Sequence, residues 1–330
     1  MSDASRPGEF DLIARYFAPI AGPGGLGLVD DAALLAPPAG CDLVLTKDLL
    51  VAGVHFFPDD PPEAIARKAL RVNLSDLAAK GAEPLGFLLG LGLPQGWREG
   101  WLAAFARGLG ADAAAYACPL LGGDTVSSPE RLVLSITALG GVPKGAMVRR
   151  TTGRPGDLLY VTGTIGAAAM GLALRLPHPP EWAAALPAAT LAAARAGYLL
   201  PDPAMPLAQA LRDHARAAMD ISDGLIGDAM KLAGASGTGL EIDARLVPML
   251  PGVADAARPC PALLACCLTG GDDYQVLAAI PPDGCGAFEE TARKAGRPVT
   301  RIGTLTVRGT RILGLDGETL TFDRASYGHF

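Results

Sequence analysis

The spacing of apolar positions along the chain predicts a mixed α/β protein. Apolar residues three and four positions apart predict amphipathic helices, and short apolar runs that end at glycine or polar residues predict buried strands. The predicted helices cover 9–17, 61–79, 97–116, 165–176, 183–199, 205–217, 225–235 and 286–295. The predicted strands cover 28–35, 43–45, 85–93, 131–139, 157–162, 240–242, 275–280, 301–305 and 310–315.

A segment rich in Gly, Pro, Arg and Lys, residues 140–156, interrupts this pattern and predicts a domain boundary. We therefore expect two α/β domains, residues 1–147 and 148–330.

Polar and charged residues come directly after the apolar run 43–45, which is predicted to be a buried strand. Thr46, Lys47 and Asp48 come directly after this run, and His55 follows seven residues after Asp48. Open α/β sheets commonly bind their ligands just outside the ends of strands. Each of these residues alone is more often structural than functional, but the same pattern recurs elsewhere in the chain.

Several aspartates interrupt apolar segments or stand beside Gly, Ser or Thr at a predicted strand end or helix start. They are Asp30, Asp31, Asp48, Asp76, Asp124, Asp220, Asp223, Asp272 and Asp273. Asp76, for example, falls on the apolar stripe of its own predicted helix, where an unpaired carboxylate is costly. No matching set of His and Cys accompanies them, so the implied metal is Mg²⁺ or Mn²⁺ rather than zinc.

A pocket with this many carboxylates repels a phosphate ester unless divalent cations lie between them. Magnesium that bridges carboxylate and phosphate oxygens also neutralises the charge of a phosphoryl-transfer transition state. The glycine pairs 122–123 and 270–271 allow the backbone to approach a phosphate closely.

Composition narrows the functional classes. The 330 residues are 50% apolar and 19% charged, with a net charge of -6 and no basic block, which argues against nucleic-acid and membrane-surface partners. The chain begins without a signal-peptide pattern and has no apolar run of the ~20 residues that span a bilayer, so we expect a soluble cytoplasmic protein. The six cysteines include no C-x-x-C pair and are expected to be reduced. The ordinary P-loop and the G-x-S-x-G elbow are both absent.

Taken together, the motifs resemble the thiamine-monophosphate kinase family of the aminoimidazole ribonucleotide synthetase-like superfamily. The matching segments, in chain order, are GEFDLIARYF, VDDAALL, TKDLLVAGVHF, NLSDLAAKGAEP, LGGDT, VPKGAMVRRTTGRPGD, MDISDGL, TGGDDYQVL and YGHF. They extend over almost the whole chain.

This resemblance implies a two-domain aminoimidazole ribonucleotide synthetase-like fold whose N-terminal domain binds ATP and magnesium and pairs its sheet with that of a second subunit in a homodimer. It implies that thiamine monophosphate is phosphorylated to thiamine diphosphate by ATP, through direct in-line transfer assisted by several Mg²⁺ ions. By motif position the magnesium residues are Asp30, Thr46, Lys47, Asp48, Asp76, Asp124, Asp220 and Asp223. The implied ATP residues are Gly123, Asp124, Arg150 and Ser222, the implied thiamine-phosphate residues are His55, Asp272 and Tyr327, and the implied catalytic residues are Asp124 and Asp220.

Three positions depart from the family pattern. Lys47 stands in place of Thr or Ser, Ala52 in place of Glu, and Asp272 in place of Glu. We hypothesise that the Lys47 ammonium supplies part of the charge of one magnesium ion.

The departures at Lys47 and Ala52 keep open a non-catalytic nucleotide-binding relative. A sister enzyme that activates another small molecule with ATP is a further alternative, although a selenophosphate synthetase would need a reactive cysteine near its N-terminus. The first cysteine here is Cys41.

Overall fold

The computed structural model describes residues 8–328, which fold into two compact units. The first unit comprises the described residues up to Leu77 together with Glu83–Gly145. The second comprises Ala78–Ala82 and the described residues from Ala146 onward. None of the helices between residues 8 and 328 has both the length and the apolar character needed to cross a membrane.

The first unit is built on a four-stranded sheet in the order β1-β4-β2-β3, in which only β2 and β3 are parallel. Its strands are β1 (Cys41–Val51), β2 (Glu83–Pro94), β3 (Leu120–Ser128) and β4 (Val133–Pro143). Its helices are α1 (Glu9–Leu12), α2 (Pro62–Ala79) and α3 (Glu99–Ala115), with a π-helix at Ile13–Phe17 and 3₁₀ turns at Ala18–Ile20 and Pro23–Leu28.

The two faces of this sheet differ in burial. Val44 and Leu50 of β1 point to the face covered by α2 and are buried, whereas Leu45 and Leu49 point to the other face and are 63% and 53% exposed. Helix α3 packs on α2, since the buried carboxylate of Asp112 in α3 accepts hydrogen bonds from Arg67 and Arg71 of α2. One face of the sheet therefore remains open in this chain.

The second unit is built on a six-stranded sheet in the order β10-β7-β9-β5-β8-β6, in which only β10 and β7 are parallel. Its strands are β5 (Leu158–Thr162), β6 (Ala217–Ile221), β7 (Gly239–Asp243), β8 (Gln275–Ile280), β9 (Val299–Thr306) and β10 (Thr310–Leu313). Its helices are α4 (Ala167–Ala173), α5 (Ala188–Leu199), α6 (Ala208–His214), α7 (Leu225–Ala235), α8 (Val253–Ala257), α9 (Pro261–Thr269) and α10 (Cys285–Lys294), with 3₁₀ turns at Glu181–Ala185, Met205–Leu207, Ala244–Leu246 and Pro282–Gly284.

Both faces of the second sheet are covered. Alternate residues of β8 belong to different hydrophobic clusters: Leu277 packs with the cluster that contains α7 and α9, and Val276 packs with the cluster that contains α6 and α10. Every residue of β8 is buried, which explains why its sequence is continuously apolar after Gln275. The predicted class of mixed α/β sheets is confirmed.

Three predictions about local structure are wrong. Residues 28–35 form no strand, because Leu26 and Leu28 adopt positive φ of 50° and 56° and the next residues bend around the exposed carboxylates of Asp30 and Asp31. The predicted helix at 183–199 is divided at Pro187, which cannot donate to a helical hydrogen bond. The predicted helix at 205–217 ends at His214, since the chain turns there into β6.

Strand β1 is also longer than predicted. It pairs with β4 from Cys41 to Val51, so Asp48 lies inside the strand and not beyond its end. The edge position of β1 allows polar residues within it.

Candidate active site

Four of the predicted site residues line one cavity of about 770 Å³ in the first unit. They are Asp30, Lys47, Gly123 and Asp124. The walls of the cavity come from the N-terminal helical segment, from the loop after residue 28 and from the open face of the sheet. Asp30 and Asp124 are both exposed to solvent there.

The close approach of β3 to β2, which forms one part of the cavity wall, depends on Gly123. A Cβ atom at position 123 would overlap the carbonyl oxygen of Leu89, its partner on β2, so only glycine allows the two strands to come this close. Asp124 follows directly and points to the opposite, open face.

A second group of predicted residues lies on the other face of the same sheet, between β1 and α2. Thr46 donates its hydroxyl proton to a carboxylate oxygen of Asp76. Burial and the neighbouring carboxylate of Asp76 raise the pKa of Asp48 to about 7. Strand alternation thus separates Thr46 and Asp48 from Lys47, although the three are consecutive in sequence.

His55 lies in the turn that follows β1 and does not line the 770 Å³ cavity. The backbone N–H of Val51 donates to Nδ1 of His55 over 3.0 Å. Nδ1 is therefore the acceptor nitrogen, and Nε2 is the ring atom that can donate a hydrogen bond.

A third group converges in the second unit, around the turn between β6 and α7. Backbone hydrogen bonds connect Asp272 N–H to the carbonyl of Ser222 over 2.9 Å and Tyr327 N–H to the carbonyl of Asp223 over 2.9 Å. The structure therefore brings together Ser222, Asp223, Asp272 and Tyr327, which are separated by up to 105 positions in sequence.

The loop that carries Asp272 is held in an unusual backbone conformation. Asp272 and Tyr274 adopt positive φ of 74° and 49°, which side-chain-bearing residues rarely do, and the hydroxyl of Tyr274 donates to Asp272 Oδ1 over 3.2 Å. Such conformations cluster at ligand sites. Asp273, between them, is buried and accepts hydrogen bonds from the backbone of Gly166 and Ala168, which is a structural role.

Sequence reasoning missed Asp228 and Lys231, which support the Ser222–Asp223 turn. The fully buried Asp228 accepts the backbone N–H of Ser222 over 3.0 Å and that of Asp223 over 2.9 Å. Lys231 donates to both Asp228 and Asp223, over 2.8 and 2.6 Å. Burial raises the pKa of Asp228, while the Lys231 ammonium opposes that rise. The available signal was an acid in the first turn of a helix that follows an S-D-G turn.

Asp220 lies two residues before this turn in the sequence, whereas the backbone of Arg150 lies near the other end of α7. Asp220 lies half-buried within β6. The carbonyl of Arg150 accepts the hydroxyl of Ser236, directly after the C-terminus of α7, whereas Ser222 precedes its N-terminus. With 11 residues at 1.5 Å per residue, the two ends of α7 are ~16 Å apart.

The pair of carboxylates Asp48 and Asp76 fits magnesium, although they do not form a complete set of protein ligands for the ion. Among residues 8–328, no three His, Cys, Asp or Glu side chains come together as ligands for one ion. Magnesium is usually held by one or two carboxylates together with substrate phosphates and water. The all-oxygen donor set of Thr46, Asp48 and Asp76 suits that mode.

Comparison with known proteins supports the assignment of the fold and identifies the family. Residues 29–142 match the N-terminal domain and residues 154–315 the C-terminal domain of the family described as AIR synthase related protein. The chain is 42% identical to a thiamine-monophosphate kinase of Caulobacter vibrioides over 91% of this chain and 84% of that protein.

Two solved structures are similar over most of their length. A thiamine-monophosphate kinase from Stenotrophomonas maltophilia K279a matches with a TM-score of 0.78 and 38% identity, over 89% of this chain and 91% of that one. The structure of AaThiL complexed with AMPPCP and TMP matches with a TM-score of 0.74 and 28% identity, over 93% of this chain and 97% of that one. The chain therefore belongs to the thiamine-monophosphate kinase family of the AIR synthase related proteins.

Proposed function

We propose that this protein transfers the γ-phosphoryl group of ATP directly to thiamine monophosphate, giving ADP and thiamine diphosphate. The observation that carries the proposal is the cavity of about 770 Å³, in which Asp30, Gly123 and Asp124 lie together in a chain of this family. The similar structure of AaThiL with AMPPCP and TMP supports the same pair of substrates.

The reaction forms one bond and breaks one bond. An oxygen of the thiamine-bound phosphate attacks the γ-phosphorus of ATP, and the bond between that phosphorus and the β,γ-bridging oxygen breaks to release ADP. Magnesium, when bound, supplies positive charge that neutralises the phosphate oxygens as this exchange proceeds.

The acidic residues of the chain would hold those ions. In the first unit we assign Asp30 and Asp124 on the cavity side of the sheet, and Thr46, Asp48 and Asp76 on its helix side. In the second unit we assign Asp220 and Asp223. Asp124 and Asp220 are the proposed catalytic residues. Asp223 must exchange the Lys231 ammonium, which now donates to it, before it can ligate an ion.

The remaining residues bind the two substrates. We assign ATP to Gly123, where the backbone can approach a phosphate, and to Arg150 and Ser222, which would contact different parts of the nucleotide. We assign thiamine monophosphate to His55, Asp272 and Tyr327. His55 offers Nε2–H as a hydrogen-bond donor, since its Nδ1 already accepts from Val51.

Lys47 supplies positive charge to the site but does not coordinate a metal ion. A protonated ammonium has three donors and no lone pair, so it cannot coordinate a metal ion.

The open face of the first sheet supports a homodimer in which two such faces meet. Leu43, Leu45, Leu49 and Val126 expose 41%, 63%, 53% and 53% of their surface on this side of the unit. Large apolar side chains exposed on one sheet face commonly mark an interface between proteins. We accordingly assign dimerisation to the N-terminal domain, residues 1–147, together with ATP and magnesium binding. Residues 148–330 form the second domain in this proposal. We also assign the protein to the cytoplasm.

Release of ADP, measured with and without thiamine monophosphate in the presence of magnesium, tests the proposed function. Strong stimulation by thiamine monophosphate supports the kinase. ATP binding without any turnover would instead indicate a nucleotide-binding relative, and stimulation by a different small molecule would indicate another substrate.

A further inference from the structure

The floor of the 770 Å³ cavity has a groove at Gly90, a residue without a side chain, in the middle one of three neighbouring strands. Ser135 of β4 pairs with Gly90 of β2, and Gly90 pairs with Asp124 of β3, so the three residues form one row across the sheet. Directly paired residues point to the same face. The middle residue has no side chain, and neighbouring strands are ~4.8 Å apart, so Ser135 and Asp124 face each other over ~10 Å.

The ammonium of a lysine on the edge strand reaches into this row. Lys47 of β1 pairs with Thr137 of β4, and its Nζ donates a hydrogen bond to the hydroxyl of Ser135. Lys47, Ser135, Gly90 and Asp124 all line the cavity. In the part of the chain that the structure describes, the partner of this ammonium is a neutral hydroxyl, so its charge is available to an anion.

The groove thus has a cation at one side, a carboxylate at the other and bare backbone between them. A lysine ammonium binds phosphate as a compact point charge. The carboxylate of Asp124 repels phosphate directly but attracts it through a divalent cation. A phosphate that lies over Gly90 would contact the ammonium on one side and a cation held by Asp124 on the other.

We propose that Lys47, positioned by Ser135, binds a phosphate group of the nucleotide over the Gly90 groove. The inference rests on the proposed kinase function and assigns Lys47 a role of its own within that site. Since the lysine charge is present without metal, Lys47 maintains part of the nucleotide affinity when magnesium is removed.

The test is nucleotide binding in EDTA, measured by calorimetry on the full chain. Wild type is compared with Lys47→Met, which removes the charge, and with Lys47→Arg, which keeps it. Lys144→Met is the matched control, because Lys144 is an exposed lysine of the same unit that does not line the cavity.

We expect Lys47→Met to weaken metal-free ATP binding by about 10-fold or more, and the loss to decrease from ATP to ADP to AMP as phosphates are removed. Lys47→Arg should stay within about 3-fold of wild type, and Lys144→Met should equal wild type. Equal ATP affinity of wild type and Lys47→Met overturns the inference, and so does a loss that is the same for all three nucleotides.

The failure of this inference and the failure of the proposed function give different results. Conversion of thiamine monophosphate by wild type, together with unchanged ATP binding by Lys47→Met, removes only the phosphate role of Lys47. Lysine-dependent ATP binding without any conversion of thiamine monophosphate supports that role and removes the kinase assignment. Sedimentation of Lys47→Met gives a third readout, because Lys47 lies between Leu45 and Leu49 on the face assigned to the dimer. A variant that changes its oligomeric state while its metal-free ATP affinity stays that of wild type assigns Lys47 to the interface alone and overturns the inference.

Discussion

Substitution of Asp228 by asparagine tests whether a buried carboxylate holds the Ser222–Asp223 turn in place. One oxygen of Asp228 accepts two backbone N–H groups, at 3.0 and 2.9 Å, and the other accepts from Lys231 at 2.8 Å. Asparagine can keep the two backbone bonds with its single oxygen, but its NH₂ group then faces the ammonium as a second donor.

The expected cost follows from these contacts. Hydrogen bonds to a charged group contribute about 1.5–3 kcal/mol each, and a conflict between two buried donors adds to the loss. We expect Asp228→Asn to lower the free energy of unfolding of the second unit by about 2–4 kcal/mol. In a Lys231→Met background the same change should cost at least ~1 kcal/mol less, because the donor conflict is gone.

Urea unfolding measured by tryptophan fluorescence gives this free energy for the second unit. Trp182 is buried in the hydrophobic cluster of that unit, whereas Trp97 and Trp101 belong to the first unit. All variants are therefore made in a background with Trp97→Phe and Trp101→Phe. A change smaller than about 0.5 kcal/mol, or an equal cost with and without Lys231, would refute the reasoning.

Three further predictions concern the candidate site and the core. Asp124→Asn should lower kcat by roughly 100-fold or more with the fold intact, because a metal-binding carboxylate is lost while its shape is kept. His55→Ala should raise KM for thiamine monophosphate more than KM for ATP, since the assigned role of His55 is on that substrate. Burial raises the pKa of Asp273 to about 7 from an ordinary value of about 3.9, so the folded chain retains a proton that the unfolded chain releases. Stability should accordingly fall by up to ~4 kcal/mol as pH rises from about 4 to about 7, and Asp273→Asn should flatten that dependence.

Each of these predictions has a clear contrary result. Near-normal turnover of Asp124→Asn, with circular dichroism unchanged, would remove Asp124 from the catalytic residues. A larger effect of His55→Ala on ATP would move His55 to the nucleotide side. A stability profile that rises between pH 4 and pH 7, and that Asp273→Asn leaves unchanged, would show that Asp273 is ionised in the fold.

Much of the fold was predictable because the spacing of apolar residues in the sequence indicates which side chains are buried. The uniformly apolar β8 and the long α2 were both found this way, since each must bury its apolar residues whatever the details of packing. The loop at 28–35 was mistaken for a strand because its apolar residues suggested burial, whereas Val29 is 90% exposed and Leu34 70%.

The chemistry of the site was predictable from residue type, but its arrangement was not. Adjacent glycines and acids identified Gly123 and Asp124 as a pair, yet their geometry depends on the parallel register of β2 with β3, which is a long-range property. Strand alternation could have placed Lys47 and Asp48 on opposite faces, but the predicted strand ended before both. Asp228 was missed because its function is to satisfy two backbone N–H groups of a turn whose shape the sequence does not state.

Transfer of a labelled phosphate tests the central claim most directly. The protein is mixed with magnesium, thiamine monophosphate and ATP labelled at the γ-phosphate, and the products are separated. Direct in-line transfer predicts that the label appears in thiamine diphosphate, in a one-to-one ratio with ADP. Label that appears only as inorganic phosphate, or that remains in ATP, would contradict the account.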